Sequence, residues 1–112
     1  MSRKKTAPLP IPAKRALRKL GADLRDARKR RRIPTKLMAE RAFVTRVTLA
    51  KAEAGEPSVS IGTYAILLFL LGMVQRLTDL ADVKHDEVGM GLEEERLPRR
   101  IRLPRPRVPE AS

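Results

Sequence analysis

The stretch Thr35-Lys36-Leu37-Met38-Ala39-Glu40-Arg41-Ala42-Phe43-Val44-Thr45-Arg46-Val47-Thr48-Leu49-Ala50-Lys51-Ala52-Glu53-Ala54-Gly55 decides how the rest of the chain is read. Two short helical patterns meet in it at a tight corner. In the first, Met38, Ala39 and Ala42 stand three or four apart, on one face of a helix. Val44 fills the corner. Thr45 then caps a second helix, its hydroxyl accepting from an amide of the first turn that would otherwise lack a partner. Leu49 and Ala52 face back toward the first helix, which leaves Arg46, Val47, Ala50 and Lys51 on the outer face. A helix buried on one side and carrying Arg, Thr and Lys on the other is one that a DNA major groove admits.

The run Ile33-Pro34-Thr35, Ala39-Glu40, Val44-Thr45-Arg46, Thr48-Leu49 and Glu53-Ala54-Gly55 resembles the helix-turn-helix of Cro/cI-type (XRE family) DNA-binding proteins. The resemblance covers about residues 17–73. It implies an all-α fold, a five-helix lambda-repressor-like DNA-binding domain, here with flexible basic tails at both ends. In that family Thr35 matches a position that holds a phosphate through its side chain and a helix N-terminus. An Arg matching Arg28 pairs there with the Glu matching Glu53, tying the first helix to the third. The resulting candidate DNA-contact set is Arg31, Thr35, Lys36, Thr45, Arg46, Val47, Thr48, Ala50 and Lys51. Two positions depart from the pattern: Phe43 stands where the family has Gly at the corner, and Arg32 where it has Gly or Asn. Both places tend to require positive φ, which costs a residue with a Cβ on the order of 1 kcal/mol.

Charge follows the same division. The chain of 112 residues carries a formal net charge of +12, but residues 14–51 hold +11 of it, while residues 52–95 are net −7. Residues 96–112 return to +5, and residues 1–13 add +3. A basic block that coincides with the two-helix stretch favours a polyanionic partner on one side of the molecule. With no cysteine and a single histidine, His85, the sequence has neither a disulfide framework nor a thiolate metal site. No Gly-rich phosphate loop or carboxylate pair in a plausible cleft suggests catalysis, so no cofactor and no metal are expected. Glu93, Glu94 and Glu95 read as solvated charge. No apolar run approaches the ~20 residues of a membrane span, the N-terminus lacks a secretory signal, and the expected location is cytoplasmic.

Working outward, residues 1–12 with Pro8, Pro10 and Pro12 read as a flexible basic arm, residues 13–82 as the DNA-binding and dimerisation domain, and residues 83–112 as a C-terminal extension. Leu17, Leu20, Leu24 and Ala27 mark a first helix over 13–31 that ends in Arg28-Lys29-Arg30-Arg31-Arg32, where cations suit the carbonyl-rich terminus. Ser60 caps a fourth helix to Leu71, with Ile61, Tyr64, Leu67, Leu68 and Leu71 on its inner face. Its outer positions Ile66, Phe69, Leu70 and Met73 are apolar too. A helix apolar all round is buried all round, so these four residues form the expected interface of a homodimer. A fifth helix is expected over 74–82, and the alternation of Val88, Met90 and Leu92 suggests a short strand.

These features point to a sequence-specific repressor of double-stranded DNA acting on a palindromic operator. The chain is also similar to HipB-like antitoxins, which implies a HipA-type kinase toxin as partner. A general or phage-type regulator without a toxin, and a protein-binding adaptor, are the alternatives.

Overall fold

The computed structural model describes residues 8–102, and every regular element among them is helical. The basic arm at Arg3–Lys5 and the chain beyond Arg102 lie outside the described residues. The chain divides after Gln75 into two compact units. The first contains α1 (Ile11–Arg30), α2 (Thr35–Ala42), α3 (Arg46–Glu53) and α4 (Ile61–Leu70). A 3-10 segment, Val74–Asp79, spans the division, and a second, Val83–His85, precedes α5 (Glu87–Arg102).

In the first unit α1 packs on α3, and α2 packs on both α3 and α4. The layers meet on Leu24 and Ala27 of α1, Met38, Ala39 and Ala42 of α2, Leu49 and Ala52 of α3, and Tyr64, Leu67 and Leu68 of α4, all buried. Met38, Leu49 and Leu67 are the largest of the fully buried side chains. Alanine at 27, 39, 42 and 52 lets the helix backbones approach closely. Tyr64 buries its ring while its hydroxyl donates to the Glu56 carbonyl at 2.9 Å. Burial, and behind it the charge of Glu56, raises the pKa of that hydroxyl.

All four helices of this unit end in one way. A residue in the left-handed region follows each: Arg32 (φ 56), Phe43 (φ 57), Gly55 (φ 74) and Gly72 (φ 79). In each case the next amide reaches back across the last turn: Ile33 to Arg28 O, Val44 to Ala39 O, Glu56 to Lys51 O and Met73 to Leu68 O, at 2.8–3.2 Å. This is the Schellman arrangement, which satisfies otherwise unpaired terminal carbonyls. Two of the four positions are Gly, which suits the conformation. Arg32 and Phe43 hold it against their own Cβ.

The closest approach is between α1 and the end of α3. A Cβ on Gly21 would lie 2.6 Å from the Gly55 amide nitrogen and 2.7 Å from the carbonyl oxygens of Ala52 and Glu53. All are backbone atoms, so only a shift of one helix would relieve the clash. Gly21→Ala is expected to destabilise the fold by about 1–3 kcal/mol, the usual cost of overpacking. A denaturant melt measures this, and an unchanged midpoint would mean that the two backbones are not held this close.

Four sequence expectations need correction. α1 begins at Ile11, inside the segment read as an arm; Pro12 stands in its first turn, where a missing amide costs nothing and a fixed φ favours the helix. The expected helix over 74–82 is instead 3-10 structure ending at Asp79. The expected strand at Val88, Met90 and Leu92 lies within α5. Three alternating residues are too few to outweigh the start signal before them: Asp86 Oδ1 accepts from the Gly89 amide at 3.0 Å, as an N-cap does. Ile61, placed on the inner face of α4, is 71% exposed.

Candidate nucleic-acid interface

The site is built on α3 and its entry. The corner at Phe43 turns the chain, and Thr45 then caps α3, its Oγ1 accepting from the Thr48 amide at 3.1 Å. The half-buried Val44 stands just before the cap and the buried Leu49 at the fourth helical position. These are the two places that an apolar staple links across a helix start, fixing the entry angle. With Leu49 and Ala52 turned into the core, the helical period leaves Arg46, Val47, Ala50 and Lys51 outward. All four are exposed, and Thr48 is half-buried at the edge.

The far end of α3 is tied to α1. Arg28 Nε donates to Glu53 Oε2 at 2.7 Å and Nη2 to Oε1 at 3.1 Å, a two-point contact between buried groups. Arg28 Nη1 also donates to the Ile33 carbonyl at 2.9 Å. One guanidinium thus joins α1, the loop before α2 and the last turn of α3. The hydrogen bond to Glu53 raises the Arg28 pKa, against the opposing effect of burial. Arg28 is 7% exposed, so it belongs to the scaffold, although its neighbours Lys29 to Arg32 are in solvent.

The remaining candidates fall on other elements. Thr35 and Lys36 form the exposed first turn of α2. Arg31 is exposed, but its Nη1 already donates to the Ala27 carbonyl at 2.9 Å. Of the expected dimer residues on α4 and just after it, Phe69 is 64% exposed, while Ile66, Leu70 and Met73 are half-buried. The exposed large apolar side chains of α4 are Ile61 and Phe69, with the half-buried Ala65 between them and Ile66 beside it. Phe43, beside the site and 90% exposed, was read in the sequence only as a backbone problem. Among the described residues no group of His, Asp and Glu is placed to hold a metal ion, and no helix is long and apolar enough to cross a membrane.

Chemically, the outer face of α3 offers two long cations, two small apolar surfaces and a capped, positively polarised helix start. Comparison with family models, with characterised proteins and with solved structures gave no match for this chain.

Proposed function

We propose that the chain is a sequence-specific repressor of double-stranded DNA, with α2, the corner and α3 acting as a helix-turn-helix of the Cro/cI type within a lambda-repressor-like domain. The observation that supports it is the division of α3. Leu49 and Ala52 are buried on one side; Arg46, Val47, Ala50 and Lys51 are exposed on the other, within the block that carries +11. In this reading Arg46 and Lys51 reach base edges or nearby phosphates. The methyl groups of Val47 and Thr48 meet thymine methyls, and Thr35, Lys36 and Arg31 hold the backbone. The protein acts as a homodimer on an approximately palindromic operator.

The test starts from an operator selected out of a random duplex pool. Arg46 suits a bidentate contact with guanine, worth about 1–3 kcal/mol of discrimination. Arg46→Ala is therefore expected to weaken operator binding about ten- to a hundredfold more than binding to random duplex. Thr35→Ala is expected to weaken both alike, because phosphates carry no sequence. An unchanged ratio of specific to random binding in Arg46→Ala would remove the recognition role of α3.

A narrower reading, the autoregulating antitoxin of a HipA-type toxin, draws support from the second unit. Leu80, Val83, Val88 and Leu92 are all exposed there, the kind of apolar surface that marks a protein contact. Co-purification with a kinase encoded beside it in the native host would support this reading. A chain that purifies and represses alone would leave the general regulator.

A further inference from the structure

α1 carries a second cationic feature that the readout by α3 does not use. Lys14, Arg18, Arg25 and Lys29 are all exposed. At 100° per residue the spacing i, i+4, i+11 and i+15 keeps them within about 60° of arc, and the row runs about 22 Å along the helix. Its own helix offers this row one acid, Asp26, three residues before Lys29. Asp26 lies about 90° and Asp23 about 150° round from the middle of the row, and Asp23 is bonded to Lys19 at 2.6 Å. The row borders the edge of α1 that holds Gly21 and Arg28, the two residues set against the end of α3. Lys14 and Arg18 line an open cleft of about 150 Å³ with the backbone turn Ala54–Pro57; the exposed Glu56 is its acidic member.

Such a row is unfavourable for the fold by itself. Lys14 with Arg18, and Arg25 with Lys29, are like-charged i, i+4 pairs, each destabilising by a few tenths of a kcal/mol. A polyanion turns this repulsion into attraction, because each neutralised phosphate releases condensed counterions. A duplex backbone fits best: it is a continuous line of charge, as the row is, and the row borders the end of the helix proposed to lie in the groove.

We infer that Lys14, Arg18, Arg25 and Lys29 form a phosphate-tracking ridge, which carries the contact of this protein along the DNA backbone beyond the segment that α3 reads. The inference rests on the DNA-binding reading of α3. The ridge adds affinity without sequence preference, and it makes binding steeply salt-dependent.

The experiment compares Arg18→Gln/Arg25→Gln with Arg15→Gln/Arg30→Gln. Each pair removes two exposed charges from α1, but the second removes them from outside the row. Binding to a random-sequence duplex and to the selected operator is followed between about 50 and 200 mM salt. For the ridge pair the slope of log K against log salt should lose about 1.8, or 0.9 per contact. That is roughly a tenfold smaller change in affinity across the range. Operator and random duplex should weaken by the same factor, and the melting temperature should stay level. The second pair should keep the full slope. Equal loss of slope in both pairs would mean diffuse charge rather than a ridge, and no loss in either would mean that the row stays in solvent. Loss confined to a single-stranded RNA probe would assign the row to a different partner. Each of these overturns the inference. Failure of the α3 reading shows separately, as a wild-type protein that enriches no sequence from the pool; the slope on random duplex still judges the ridge in that case.

Discussion

Arg28→Ala is expected to lose on the order of 3 kcal/mol of folding stability, while Arg30→Ala, two residues along in the same basic run, leaves the unfolding midpoint within error. Arg28 donates to both oxygens of Glu53 and to the Ile33 carbonyl, and the side chains of both partners are only 9% exposed. Removing one member of such a pair leaves the other charge buried and uncompensated, which is why the cost exceeds the net worth of the pair. Arg30 is in solvent. Replacing both partners by apolar residues of similar length, Arg28→Met with Glu53→Met, should recover much of the loss, because no orphaned charge remains. High pH does not provide a route to breaking the pair from the arginine side. The folded pKa of Arg28 lies above its ordinary value, so its contribution is complete below the unfolded pKa and fades only as pH rises through the folded one. Denaturant unfolding of the three variants decides the matter. Equal, small losses for Arg28→Ala and Arg30→Ala would show that the tie is ornamental.

The two-helix corner was legible because its signals are local and agree with one another. An N-capping Thr45, apolar residues at helical spacing and a Gly after the last turn each fix a piece of backbone within a few residues. Even the awkward positions could be located: Arg32 and Phe43 were expected to need positive φ, and they sit at 56° and 57°. The misreadings arose where a signal depends on distance along an axis or on a weak pattern. Ile61 stands seven residues before Leu68, two turns away on nearly the same face. Leu68 is buried and Ile61 is exposed. Angular phase alone could not separate them, since the difference is that Ile61 stands in the first turn of α4. At Val88, Met90 and Leu92 a period of two over three residues was set against a capping Asp86, and the cap prevailed. The ridge on α1 was hidden for another reason. A run of five adjacent bases draws attention to the helix end, whereas the four cations that share a face are spread over sixteen residues and emerge only once α1 is known to be continuous from Ile11 to Arg30.

The second large effect concerns α4. Phe69→Glu is expected to convert a dimer into a folded monomer and to lower operator affinity by on the order of a hundredfold or more. Ile61 and Phe69 are both largely exposed on this helix, with Ala65 between them and Ile66 alongside. Covering a large apolar side chain is worth roughly 1.5–3 kcal/mol, so leaving this row in water forgoes a substantial driving force. In the proposed homodimer, burial against its own copy across a two-fold axis would supply it, because an isologous contact presents the same patch from both sides. The same axis can set two recognition helices about 34 Å apart, one turn of duplex. A monomer then holds one half-site and loses the joint attachment of two. Glutamate at 69 places two like charges near the axis without altering Arg46 or Lys51, so a loss of affinity would not come from the recognition face. Sedimentation reads the association state, circular dichroism the fold. Phe69→Ser, which removes the apolar contact without adding charge, should weaken the dimer more mildly and in the same direction. A folded Phe69→Glu protein that remains dimeric and binds operator like the wild type would show that the α4 row meets some other surface.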